Sequence, residues 1–94
     1  MQERQVKEEI ARLRREIDSL DSQIISVLNQ RAEKVVILKK LKEKIGLPAY
    51  DPRREEEILE NLKRLKSGPL HSKHLKEIYQ KILEIMRALE RENC

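Results

Sequence analysis

A charge standing where the helical period calls for a hydrophobe is the first place to look for chemistry in this sequence. Val6, Ile10, Leu13, Ile17, Leu20, Ile24 and Val27 step by alternating fours and threes, and Arg31 takes the next position in the stripe. Two roles suit it. It is either a polar seam residue that sets register or oligomeric state, or an inward guanidinium that receives an anion. Lys42 lies eleven residues further on. That is three helical turns with an offset of about 20°. Arg31 and Lys42 therefore share one face, with Val35 and Leu38 between them. Two long cations separated by aliphatics make a pocket with two positive ends. A Lys42 that snorkels to solvent beside Leu41 is the plainer alternative.

Other charges carry weaker signals. Arg14 sits beside Leu13 and Ile17, seventeen residues before Arg31, so the two do not share a face of one helix. Only a second long helix alongside would let them meet; alone, Arg14 is a solvated flank. Asp51-Pro52-Arg53-Arg54-Glu55 is a helix start. Asp51 suits the cap, Pro52 the first helical position, and Glu55 the positive end of the helix dipole. The same turn also offers Arg54 to a carboxylate and Glu55 to a hydroxyl. Glu90 follows Met86 by one turn near the end of an apolar face, where a solvent-facing Glu is ordinary. His71 and His74 have no clear third ligand nearby, so no metal site is expected. There is no Ser/His/Asp order and no Cys/His pair, and nucleophilic chemistry is not expected either.

These residues must be positioned by helices. The chain has 94 residues and reads as one domain, 40% charged and 38% hydrophobic, with 2% aromatics and neither Phe nor Trp. That is a long-helix composition, poor in what a β-sandwich, a barrel or a Gly-rich nucleotide loop needs. Gly46-Leu47-Pro48 and Ser67-Gly68-Pro69 break the chain into three helices. The first runs from about Arg4 to about Ile45. The second opens at Asp51-Pro52 and carries Ile58, Leu59, Leu62 and Leu65 on one face. The third opens near Ser72, a candidate N-cap, and presents Leu75, Ile78, Tyr79, Ile82, Leu83, Met86 and Leu89. Lys39, Lys40 and Lys44 read as solvated-face residues. At about 1.5 Å per residue the first helix is on the order of 60 Å long. Its apolar stripe outruns what its own chain can cover, and a second copy is the simplest cover.

The remaining composition sets further expectations. Cys94 is the sole cysteine, which excludes an intrachain disulfide and a Cys-based zinc site. A functional thiol at that end is not expected. Lys plus Arg is 21 against 17 Asp plus Glu, and the two signs are interleaved, so no nucleic-acid partner is expected. The longest apolar run is Val35-Val36-Ile37-Leu38, and the start lacks an apolar core. Neither a membrane span nor a signal peptide is expected, and the chain reads as cytoplasmic.

The combined spacing is more specific than any single residue. Leu13-Arg14-Arg15-Glu16-Ile17-Asp18-Ser19-Leu20-Asp21 is followed by Leu28-Asn29-Gln30-Arg31-Ala32-Glu33, then Lys42, then Tyr50-Asp51-Pro52-Arg53-Arg54-Glu55. This ordered set resembles the all-helical (AroQ-class, type II) chorismate mutases over nearly the whole chain, 1–94 forming a single such domain. The resemblance implies an all-α fold: three-helix protomers with one very long N-terminal helix, intertwined as a homodimer. It implies an isomerase that rearranges chorismate to prephenate at the branch toward phenylalanine and tyrosine. On this sequence Arg31 and Lys42 become the inward cations, and Arg14 the arginine contributed across the dimer interface. Asp51, Arg54 and Glu55 form the second-helix wall, and Glu90 falls where relatives have Gln or Glu. Met86 falls where several relatives have Ser, which leaves one polar contact absent or replaced.

The residue chemistry agrees with that implication. Chorismate is a small dianion, and its Claisen-type rearrangement needs no nucleophile, metal or cofactor; none is expected here. Catalysis then consists of holding the compact conformer and stabilising charge as the C–O bond breaks. Arginine forks suit the carboxylates. Lys42 suits the ether oxygen, and Glu55 the ring hydroxyl. Glu90 can donate to the ether oxygen only when protonated. Burial against Met86 and Ile82 would favour that form, and Lys42 and Arg31 would oppose it. A non-catalytic helical dimerisation or regulatory module would share the fold, as would a lyase that releases pyruvate from isochorismate.

Overall fold

The computed structural model describes residues 2–65 and 68–92. The expected break at Ser67 and the terminal Cys94 lie outside the described residues. The chain forms three helices: α1 (Glu3–Lys44), α2 (Pro52–Leu65) and α3 (Ser72–Glu92). Both ends of α1 and the starts of α2 and α3 fall within a residue of where the periodicity and the breakers put them.

The ends of the helices follow from local hydrogen bonding. At the start of α1 the Gln2 carbonyl accepts the Val6 amide at 3.1 Å, and the Gln5 side chain accepts the Gln2 amide at 3.1 Å. The second bond is the backward arm of a capping box. At its end, the Leu47 amide donates to the Lys42 carbonyl at 2.9 Å and the Gly46 amide to the Glu43 carbonyl at 3.2 Å. These two bonds form a Schellman motif, which requires a left-handed residue at its turn. Gly46 fills it with φ of 72°. Asp51 caps α2 as expected: its Oδ1 accepts the Arg54 amide at 3.1 Å, and its carbonyl accepts the Glu55 amide at 3.2 Å. The cap of α3 is a correction. The His71 carbonyl, not that of Ser72, accepts the first helical bond, from Leu75 at 3.1 Å. His74 reaches back so that its Nδ1 accepts the His71 amide at 3.0 Å, and the two rings lie 5.3 Å apart. Both histidines thus serve the helix start.

Contacts divide the chain into two compact units, Met1–Glu33 and Lys34–Cys94. From Glu3 onward the first consists of α1 residues alone. Ion pairs run along its surface from Glu3 to Lys7, Arg4 to Glu8, and Arg12 to both Glu9 and Glu16. Such pairs add a few tenths of a kcal/mol each to a helix. The apolar stripe of this unit is exposed throughout, from 41% at Val6 to 61% at Val27. None of its described residues is buried.

The second unit holds the core. Here α2 packs on α3, and Leu62, Leu83 and Met86 are its buried hydrophobes among the described residues. Ile58, Leu59, Tyr79, Ile82 and Leu89 are half-buried around them. Burying one such aliphatic side chain is worth about 2 kcal/mol, so this core is small. Among the described residues no helix is long and apolar enough to cross a membrane.

Candidate functional site

The second unit contains a cavity of about 510 Å³ lined by Lys39, Ala49, Tyr50, Arg87, Glu90 and Arg91. Helical spacing explains the lining. Arg87, Glu90 and Arg91 stand at i, i+3 and i+4 on α3 and share a face. Lys39 comes from the last turns of α1, and Ala49 and Tyr50 from the connector to α2. Three cations and one carboxylate give the wall a net positive charge, which suits an anion.

Lys42 is held beside this wall. Its Nζ donates to the Ala49 carbonyl at 3.2 Å in a partly buried bond. The Schellman turn makes that contact possible, because it brings the connector back over the last turn of α1. An ammonium carries three donors, so one such bond leaves capacity for a ligand.

On the other side Glu55 and Arg87 form an ion pair, Arg87 Nη1 donating to Glu55 Oε1 at 2.5 Å. Their side chains are 20% and 32% exposed. The Arg87 guanidinium also lies over the Tyr50 ring, 5.2 Å from its centroid. A flat cation stacked on a ring and hydrogen-bonded at its edge is held in both plane and direction.

Glu90 is the residue whose charge state the site alters. Its carboxyl is pushed above the usual carboxylate range, first by burial. Lys42 opposes the shift, Glu55 adds to it, and Lys39 and Arg87 oppose it. The direction favours a neutral carboxylic acid, which can donate as well as accept. The cations acting on it are thus Lys42, Lys39 and Arg87, where the sequence pattern points to Lys42 and Arg31.

The predicted residues divide into groups. Lys42, Glu55 and Glu90 are brought together, each sensing or touching residues of the cavity wall. Asp51 and Arg54 lie on the exposed first turn of α2, where Asp51 serves as cap and Arg54 pairs with Glu57 at 3.3 Å. Met86 is a core residue, 7% exposed. Arg14 is exposed and Arg31 half-buried, both within the first unit.

The sequence pattern does not single out Lys39, Tyr50 or Arg87. Lys39 corrects an expectation outright. The period assigns it to the solvated face, yet it is 5% exposed, with Nζ reaching the exposed Glu43 at 3.3 Å. The side chain as a whole is covered, and its ammonium meets the carboxylate of Glu43, so the charge is buried but paired. Spacing holds a clue: Lys39 precedes Lys42 by three residues, and Arg87 precedes Glu90 by three. Same-face neighbours of each candidate are the residues to test.

The chain is similar to known proteins in sequence and in fold. Residues 13–91 match the family described as Chorismate mutase type II. A bifunctional chorismate mutase/prephenate dehydratase of Aquifex aeolicus is 36% identical over 88 residues, which are 89% of this chain and 24% of that protein. A chorismate mutase of Methanocaldococcus jannaschii is 27% identical over 86 residues, 90% of this chain and 87% of that protein. The chain therefore spans about a quarter of the bifunctional relative and most of the other. Among solved structures, form II of a chorismate mutase from Thermus thermophilus superposes with a TM-score of 0.85 at 32% identity, covering 88% of this chain and 94% of that one. Form I gives 0.81 at 32% identity, covering 83% and 98%.

Proposed function

The chain belongs to the chorismate mutase type II family, and we propose that it isomerises chorismate to prephenate by electrostatic preorganisation, with no covalent intermediate. The observation that carries this reading is the gathering of Lys42, Glu55 and Glu90 at a cation-lined cavity, with Glu90 biased toward its neutral form. A unimolecular pericyclic step asks for no more than that. The substrate must be held compact, and donors must meet the ether oxygen as negative charge grows there. Lys42 is one donor and protonated Glu90 the other. Glu55 accepts from the ring hydroxyl through the oxygen not paired with Arg87. Each donor to a developing oxyanion is worth about 100- to 1,000-fold in rate.

The remaining assignments rest on the sequence pattern. Arg31 follows the helical register of α1 and takes a substrate carboxylate. Arg54 and Asp51 form the α2 wall, and the buried Met86 leaves one polar contact to substrate absent or replaced. Arg14 enters from a second copy of the chain. The exposed stripe from Val6 to Val27 supports that second copy, since an apolar face this long is covered in a stable helical protein. Residues 1–94 act as one domain in this reading, because the family match crosses both compact units. A cytoplasmic setting goes with it.

The deciding experiment mixes the purified protein with chorismate and follows loss of its ultraviolet absorbance. Acceleration over buffer with prephenate as product is expected. Binding without acceleration would leave a regulatory module, pyruvate release from isochorismate would mark a lyase, and either outcome overturns the proposal.

A further inference from the structure

We propose that Arg87, steadied by Tyr50, is a positioning residue that fixes the Glu55 carboxylate for substrate; this rests on the mutase reading above. The argument begins with what Glu55 must do. A carboxylate on a surface helix turn has free rotamers and exchanges its hydrogen bonds with water. To accept from a ligand hydroxyl in one geometry it must be held by something other than the ligand. Among the described residues its own helix supplies no such partner: the neighbouring Arg54 pairs with Glu57 instead. The bond that holds Glu55 comes from Arg87, thirty-two residues away on α3.

Arg87 is suited to the task because it is itself fixed twice. Nη1 meets Glu55 Oε1 at 2.5 Å, and the guanidinium face lies over Tyr50 at 5.2 Å. Tyr50 follows Ala49, whose carbonyl accepts from Lys42 Nζ at 3.2 Å. A continuous set of contacts thus runs Lys42, Ala49, Tyr50, Arg87, Glu55. It ties the proposed ether-oxygen donor to the proposed hydroxyl acceptor through the connector. Arg87 and Tyr50 both line the cavity, so the clamp sits where ligand binds. A single Oε1 contact leaves Oε2 to face the substrate. Lysine could not replace Arg87, since it has neither the flat face for Tyr50 nor the directional fork.

The test is a double-mutant cycle in chorismate turnover, using Arg87→Ala, Glu55→Ala and the pair, with helical content and oligomer mass checked for each. Arg87→Ala should lower kcat/KM about 10- to 100-fold, the range for losing a charge-assisted hydrogen bond. In the Glu55→Ala background the same substitution should cost less than about twofold, because its effect passes through Glu55. Added guanidinium ion should restore part of the activity of Arg87→Ala and none of that of the pair. Where the alanine variant does not fold, Arg87→Lys takes its place in the cycle with the same expectation. Equal losses in both backgrounds would overturn the positioning role, and so would rescue by guanidinium of the double variant. Absence of turnover in the unmutated protein would instead overturn the mutase reading, and this inference with it.

Discussion

As the proposed donor, Glu90 would make the activity of this site depend on pH, in the direction set by the upward shift of its carboxyl. Burial raises its carboxyl above the usual range, so the proton is retained where a surface glutamate would have lost it. As the proposed donor, Glu90 works only while neutral. kcat/KM is therefore level below its pKa and falls as pH rises through it, approaching about tenfold per pH unit for a single ionisation. Glu90→Gln keeps a donor at every pH, and the falling limb should disappear. The neighbours set the sign of a second shift. Lys39 is among the cations that hold the Glu90 pKa down, beside Lys42 and Arg87, while Glu55 holds it up. Lys39→Met should therefore move the break to higher pH, and the whole profile with it. A third reading needs no substrate. The fold favours protonated Glu90, so its contribution to stability is present at acid pH, below the unfolded pKa. It is lost as pH rises through the raised folded value. The Tm of Glu90→Gln relative to the unmutated protein should rise across the same interval. The measurements are initial rates of chorismate loss across buffers of constant ionic strength, and thermal melts at each pH. A limb that persists in Glu90→Gln refutes the donor role. A break that moves downward in Lys39→Met refutes the electrostatic account.

Three other outcomes are expected. Lys42→Ala should lower kcat and kcat/KM together by about 100- to 1,000-fold, as steady-state kinetics will read for a contact made chiefly in the transition state. Arg14→Ala and Arg31→Ala, each inactive alone, should regain partial activity when mixed and exchanged, since one heterodimer site then carries both lesions and the other neither; no recovery after verified exchange argues against a shared site. Gly46→Ala should lower the urea midpoint by the equivalent of about 1 kcal/mol with an unchanged m-value, because Gly46 sits at φ of 72° where a Cβ is strained.

What a sequence can disclose follows from which atoms a residue type commits. Asp51 and Gly46 are readable because a cap and a left-handed turn each depend on a few adjacent residues. Lys42 is singled out by spacing, which puts it on one face with Arg31, whereas Glu55 and Glu90 become candidates chiefly through the family resemblance. The α3 cap departs from expectation because Ser72 and His71 are both able to end a turn, and His74 tips the choice with a backward bond that cap preferences do not weight. Arg87 is not readable from any local period. Its partner lies thirty-two residues away, and only the packing of α2 on α3 joins them.

Lys39 shows the deeper reason. A helical period sorts residues into faces by apolarity alone, yet a lysine is covered where its ammonium has a carboxylate to meet, as Lys39 has in Glu43. Lys39, which the period leaves among the surface charges, and Arg87, which it does not single out, stand where an apolar face gives way to a polar one, in the last turns of α1 and of α3. An anion site built from helices belongs at such a border. The apolar side excludes water and strengthens each charge, while the polar side supplies long side chains able to reach across it. Candidate residues in a helical chain of this kind are therefore of two sorts: charges that interrupt an apolar stripe, as Arg31 does, and charges that flank its end within one turn, as Lys39 and Arg87 do. Periodicity finds the first sort, and the second requires the ends of the helices to be located first.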